Sequence, residues 1–296
     1  MSLRGVRGGS PVIPLGFTMF YLILAILSSM LVSVCMRLSE GKAKNNISML
    51  AMNYVMCTLL SALYSGAANL FPQTEGLGFA LLLGVFSGAL YLGSFVLLNW
   101  NIRVNGVVLP ATFMKLGVIV PTVLSILCFG EKPGAAQILG MLLSIAAILL
   151  IQLEKGNAKA KHALGLVILL LAGGSTDATS KVYEELGNAQ LSSHFLLYTF
   201  FVAMVLCAAL AVLKKQKLTA TDAAFGLLIG VPNYFSARFL LLSLSAVPAV
   251  VAYPTYSVGT IVLITLLGRV LFKEKLSRRQ MIAMAMILAA LIMLNL

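Results

Sequence analysis

The sequence predicts an all-α membrane protein with ten transmembrane helices in two inverted five-helix repeats. Three observations carry this expectation. Of 296 residues, 60% are hydrophobic and only 10% charged, where a soluble domain has about 25% charged residues. The charges are segregated: 17–36, 46–74, 76–102, 133–153 and 186–213 contain no Asp, Glu, Lys or Arg. Lys and Arg concentrate in every second connection between the apolar stretches.

A helix of about 20 apolar residues crosses the hydrocarbon core with its backbone polar groups satisfied internally. The first such segment, 17–36, is free of charge and ends at Arg37. The next two, 47–70 and 77–99, are separated by the turn-rich FPQTEG. The fourth, 105–129, holds Lys115, Pro110 and Pro121 and ends in FGEK. The fifth, 134–153, runs into the linker EKGNAKAKH. The sixth and seventh, 163–183 and 190–213, flank a short acidic turn, and the seventh ends at KKQK. Arg238 is the one charge between Ala223 and Gly268. That window is too long for one useful span, so it divides at Ser245 to Pro248 into 222–244 and 248–272. The tenth segment is 277–296. The domain organisation is therefore a tail at 1–16, a first repeat at 17–153, a linker at 154–162 and a second repeat at 163–296. The tail carries Arg4 and Arg7. The following apolar run is too long for a signal peptide and lacks a small-residue cleavage site, which points to a short disordered tail.

Charge placement predicts orientation. The connections after spans one, three, five, seven and nine hold 15 of the 21 basic residues, among them Lys42, Lys44, Lys159, Lys215 and Arg278. The opposite connections and the tail hold Arg4, Arg7, Lys132 and Lys181. The positive-inside pattern places the basic loops in the cytoplasm and both termini outside a plasma (cytoplasmic) membrane. The net charge of +12 is thus matched to anionic lipid rather than to nucleic acid.

The halves resemble each other. A shift of 143 pairs Phe129 with Phe272, Glu131 with Glu274, Gln137 with Gln280 and Met141 with Met284. A shift of 144 pairs Arg37 with Lys181 and Glu40 with Glu184. An odd number of spans per repeat forces opposite insertion, and such repeats place a substrate site near the midplane. Pro121, the FGEK at Phe129 to Lys132, Gln137 and Gly140, with the second copy FKEK at Phe272 to Lys275 and Gln280, resemble the EamA-type drug/metabolite transporter superfamily over about 17–296. The resemblance implies ten helices, with a cavity lined by spans one to four and six to nine and with five and ten at the periphery. It also implies cytoplasmic termini, opposite to the charge pattern. The first span, AILSSMLVSVCMRLSEG, is similar to the first helix of the small multidrug-resistance branch, but Ser29 stands where that branch has a membrane-embedded glutamate.

Ionisable groups within spans are costly and face a cavity or a partner. Lys115 is a candidate for a substrate carboxylate or phosphate, or for an ion pair with Asp177. Asp177 is a candidate for proton coupling or a substrate amine, or for a local pair with Lys181 four residues on. Arg238 is a second anion contact or reaches the interface. Tyr253 and Tyr256 flank Pro254, where a broken backbone would expose carbonyls; Pro110 and Pro121 offer the same in the fourth span. Asn53 and Asn233 complete the candidate substrate-binding set, and Tyr54, Tyr91, Asn99, Tyr198 and Tyr234 are further polar or aromatic residues of these spans. Gly84 with Gly88, and Gly226 with Gly230, have the spacing of close helix packing. Cys35, Cys57, Cys128 and Cys207 read as packed free thiols, and two isolated histidines make no metal site.

The sequence has no catalytic constellation, phosphate-binding loop or cofactor motif, so no enzyme activity and no cofactor are expected. The expected partners are a small-molecule substrate, the lipid bilayer and a coupling ion or proton. The leading expectation is a secondary transporter of a small polar metabolite, such as an amino acid or organic anion. The alternatives are proton-coupled efflux of lipophilic cations and a non-transporting scaffold. The orientation has a direct check. A cysteine introduced at Lys159 into a cysteine-free background should resist a membrane-impermeant maleimide added to intact cells. Labelling from outside reverses the assignment.

Overall fold

The computed structural model describes residues 15–66, 69–105, 108–152, 162–272 and 277–296. The tail, the linker apart from His162, and Lys273 to Lys275 of the second FKEK copy lie outside the described residues. Helices account for the regular structure: α1 (Leu15–Ser39), α2 (Asn46–Ser65), α3 (Leu77–Asn105), α4 (Val108–Leu116), α5 (Ile119–Cys128), α6 (Ala135–Gln152), α7 (Ala163–Leu186), α8 (Ser192–Leu213), α9 (Ala220–Ser243), α10 (Ala249–Phe272) and α11 (Arg278–Leu294). No strand occurs among the described residues.

Among the described residues, eight spans are long and apolar enough to cross a membrane: α1, α2, α3, α4 with α5, α7, α8 with the turn before it, α9 and α10. The expected fifth and tenth spans are shorter. The apolar part of α6 is Ala135–Leu150, and the 17 residues of α11 extend about 25 Å at 1.5 Å each. These two helices pack on one another at Gly140, where a Cβ would stand 3.0 Å from the Ala290 carbonyl. The second span ends at Ser65 rather than 70, because Gly66 turns the chain with φ +83°. The third continues to Asn105. Its polar end stays helical because Asn101 donates to the Leu97 and Gly165 carbonyls, and Asn105 to Asn101.

The fourth span is broken, and α4 and α5 are its halves. Pro121 has no N–H, and its ring collides with the carbonyl four residues back; that residue is Gly117, at the break. Pro110 lies in the first turn of α4, where proline is tolerated, and breaks nothing. The expected break at Pro254 is absent, since α10 is continuous through it. Pro254 lies past the first turn of α10, and the helix runs through it without the bond that an N–H there would make to the Val250 carbonyl.

Side chains tie the connections into two faces. On one, Asp222 caps α9 through Thr219 and also accepts the Lys44 and Asn45 N–H groups at 2.8 and 3.2 Å. Asn45 donates to the Lys217 carbonyl at 2.7 Å, and the His162 N–H donates to Asn105 at 3.2 Å. On the other face, Asn188 donates to the Glu75 carbonyl at 2.9 Å, and Glu131 reaches the start of α10. Successive spans therefore run in opposite directions. Lys42, Lys44, Arg103, Lys214, Lys215 and Lys217 gather on the first face, which is the basic one.

Lipid gives helices no hydrophobic drive to associate, so small residues and tight packing hold them together. Gly84 and Gly88 of α3 press on α8, where a Cβ at Gly88 would stand 2.6 Å from the Thr199 carbonyl. Gly226 and Gly230 of α9 press on α2, where a Cβ at Gly230 would stand 2.5 Å from the Asn53 carbonyl. The Gly117 break rests on α7 at Gly174, and Gly259 of α10 rests on Ile26 of α1. Cys57 and Cys207 are buried as expected, but Cys128 is exposed and Cys35 partly so. Large apolar side chains such as Leu63, Leu82, Leu127, Leu164 and Val212 face outward, as a hydrocarbon solvent permits. Gly88→Ala and Gly230→Ala should each lower stability by about 1–3 kcal/mol through overpacking, read as a lower thermal midpoint in detergent. Gly78→Ala, with nothing within 4 Å, should leave it in place.

Candidate functional site

Lys115 is the penultimate residue of the half-helix α4, where the helix dipole favours a cation. Asp177 lies in the second half of α7, on the helix that packs against both α4 and α5. The two interact electrostatically, but no ion pair within 4.0 Å joins them among the described residues. Both are partly accessible. Tyr91 of α3 and Tyr253 and Tyr256 of α10 also lie within electrostatic reach of the Asp177 carboxylate. Lys115, Tyr253 and Tyr256, three of the expected residues, therefore lie within electrostatic reach of a fourth, Asp177.

α10 is the centre of this arrangement, with 67% of its apolar window buried. The Tyr253 hydroxyl donates to the Asp177 carbonyl at 2.8 Å, bridging α10 to α7. The Tyr256 hydroxyl lies 2.8 Å from the Ser236 hydroxyl of α9, which itself donates to the Ala25 carbonyl of α1 at 3.3 Å. Ser29 is a further hydrogen-bond partner of Tyr256. Tyr91 is fixed by ring contacts to Tyr54 and Phe200 at 5.9 and 6.0 Å. Ser29, Tyr91, Lys115, Asp177 and Tyr256 all keep part of their surface accessible. They come from α1, α3, α4, α7 and α10, that is, from both halves of the chain.

The remaining expected residues lie outside this group. Asn233 of α9 donates to Asn53 of α2 at 3.2 Å, with the Cys57 sulfur at 3.6 Å. Arg238 sits toward the end of α9, against Tyr64, Tyr234 and Ser193. Asn99 bonds its own helix at Phe95, and Tyr198 donates to the Leu70 carbonyl. The expected Asp177–Lys181 pair is absent. Lys181 instead binds Glu131, Glu184 and Glu185 at 3.1, 3.0 and 2.6 Å. At 3% side-chain exposure, its ammonium needs several acceptors, and those three carboxylates supply them.

Sequence reasoning missed Ser236 and the role of Glu131. The polar Ser236 in an apolar helix was a signal for the first. Glu131 was noted as a repeat motif. In the structure its two oxygens accept the Ala249 and Val250 N–H groups at 2.9 and 3.0 Å, capping α10 while holding Lys181. Among the described residues, no group of three His, Cys, Asp or Glu converges to hold a metal.

The apolar helices define a multi-pass helical membrane protein. The family model of the Small Multidrug Resistance protein matches residues 194–287, which span α8 to most of α11 and include Asn233, Arg238, Tyr253 and Tyr256. An uncharacterized protein of Haemophilus influenzae is 25% identical over 287 residues, covering 92% of this chain and 96% of the relative. A solved crystal structure of a protein superposes with a TM-score of 0.75 at 14% identity, covering 94% of this chain and 96% of the other; that likeness concerns the fold alone. Glu131→Ala should destabilise the protein by about 2–4 kcal/mol, because two peptide N–H groups and an ammonium lose their acceptor. Glu131→Gln, which keeps one acceptor oxygen, should lose less. Thermal unfolding of both variants checks the order.

Proposed function

We propose that this chain is a secondary transporter of a small polar metabolite, an amino acid or organic anion, built as ten spans in two inverted repeats. The observation that carries the reading is the meeting of Lys115 from the first half and Asp177 from the second. They are opposite charges, both partly accessible and within electrostatic reach of each other, without a direct ion pair. A zwitterion matches this layout, its carboxylate at Lys115 and its amine at Asp177. Tyr91, Tyr253 and Tyr256 supply hydrogen bonds and apolar ring faces around it. Energy comes from an ion or substrate gradient.

The repeat is supported by reciprocal contacts. α1 packs on α9 as α7 packs on α3, and α2 on α9 as α8 on α3. The glycine pairs at 84 and 88 and at 226 and 230 are 142 residues apart and press on corresponding partners. Asn45 binds the carbonyl of Lys217, and Asn188 binds that of Glu75. The two bonds are near-copies on opposite faces. By the same logic α6 and α11 are the matching fifth helices of the repeats.

The Small Multidrug Resistance match favours a second reading, efflux of lipophilic cations, with Asp177 as the membrane carboxylate and the tyrosines as cation-binding rings. Counterflow in proteoliposomes separates the readings. Vesicles preloaded with pooled amino acids or organic anions should exchange labelled solute. Lys115→Ala and Asp177→Asn should each slow exchange at least about tenfold, since removing a desolvated charge contact costs about 2 kcal/mol or more. Exchange only of quaternary ammonium compounds, unaffected by Lys115→Ala, transfers the assignment to the second reading.

A further inference from the structure

We propose that Arg238, Tyr64, Tyr234 and Ser193 form a binding site for an oxyanion, a carboxylate or a phosphate group, separate from the site assigned to Lys115 and Asp177. The site lies on the face opposite the basic one. Tyr64 is the penultimate residue of α2, Ser193 the second of α8, and Arg238 stands near the C-terminal end of α9. The guanidinium carbon lies 4.2 Å from the centre of the Tyr64 ring. Its Nη1 donates to the Tyr234 hydroxyl at 2.9 Å and to the Ser193 hydroxyl at 3.1 Å.

These three contacts orient the planar group but leave much of its capacity unused. Nη2 and Nε make no hydrogen bond among the described residues, and neither is among the buried unpartnered atoms. Arg238 as a whole is partly exposed, and its Nη2 and Nε together form an edge with the fork geometry that a carboxylate or phosphate accepts. No carboxylate supplies it from within. The described ion pairs on this face all belong to Lys181, which gathers Glu131, Glu184 and Glu185. An arginine near a span end without a counter-ion is costly unless it reaches water, a headgroup or a ligand.

Packing does not require this arginine. Along α9, the stripe Gly226, Gly230, Tyr234 and Arg238 faces α2. The positions 142 residues earlier on α3 are Gly84, Gly88, Leu92 and Val96. The same kind of glycine stripe therefore ends in two apolar residues in one half and in a tyrosine and an arginine in the other. The arginine is an addition to a packing solution that works without it. Its surroundings place the ligand at the membrane boundary, because Tyr64, near the end of α2, is 50% exposed, as in an aromatic belt. Both a soluble anion and the phosphate of an anionic lipid reach that level.

The inference does not rest on the transport reading, and its test measures binding. Purified full-length protein in a neutral detergent is titrated with dihexanoyl phosphatidylglycerol, with glycerol 3-phosphate and with dihexanoyl phosphatidylcholine, following the thermal midpoint. The wild type should be stabilised by at least one anion and not by phosphatidylcholine. Protection by glycerol 3-phosphate identifies a soluble-anion site, and protection by phosphatidylglycerol alone identifies a lipid headgroup site. Arg238→Gln should raise the apparent Kd at least about tenfold. Arg238→Lys should also weaken binding, because the fork is lost while the charge stays. Tyr64→Phe should bind normally, since the ring remains. If Arg238→Gln does not fold, the Tyr64→Ala, Ser193→Ala double variant should show the same weakening. Equal protection of the variants and the wild type, equal protection by phosphatidylcholine, or no protection of the wild type by either anion overturns the proposal.

Discussion

A peptide group in hydrocarbon has no water to bond, and this constraint governs the whole structure. It forces each span to be helical and removes the hydrophobic effect as a reason for helices to meet. What remains is close contact, and glycines provide it. Gly84 and Gly88 bring α3 onto α8, and Gly226 and Gly230 bring α9 onto α2. Hydroxyl bonds such as Thr179 to Ser87 at 2.9 Å add a polar bond between α7 and α3. The same constraint explains where the backbone departs from regular helix. The break between α4 and α5 lies against Gly174 and next to Lys115, and backbone turn bonds from the Gly117 and Val120 N–H groups to the Phe113 and Gly117 carbonyls carry the chain across it.

α10 connects the elements that the faces and the centre hold in common. Its first turn is capped by Glu131, which also binds Lys181 at the end of α7. A turn later Tyr253 reaches the Asp177 backbone, and Tyr256 reaches α9 and α1 through Ser236. A shift of α10 along its axis would therefore disturb the cap, the Asp177 backbone and the central hydroxyl pair together. This couples the condition of one face to the geometry around Asp177 through short, directional contacts.

The charged residues within the spans have different settings. Lys115 and Asp177 lie within electrostatic reach of each other, one from each half of the chain. Lys181 is saturated by carboxylates. Arg238 is held by rings and hydroxyls at a span end. All four met the same sequence criterion, an ionisable side chain in or beside an apolar run. Their distinct surroundings come from residues distant in sequence: Glu131 for Lys181, Tyr64 and Ser193 for Arg238, and Tyr91 for Asp177.

The apolar runs and their breaks were legible from the sequence alone, because helix length in hydrocarbon is a local property. So were the basic connections, the glycine spacing and the proline that interrupts the fourth span. Each depends on residues within a few turns of one another. The tertiary structure alone decided which polar groups meet. It gave Lys181 to Glu131, Glu184 and Glu185 rather than to Asp177, set Asn53 against Asn233, and kept α10 intact at Pro254. These outcomes depend on how helices rotate and slide against one another. One turn of helix moves a side chain by about 5.4 Å along the axis, enough to exchange one partner for another while leaving the hydropathy of the segment unchanged.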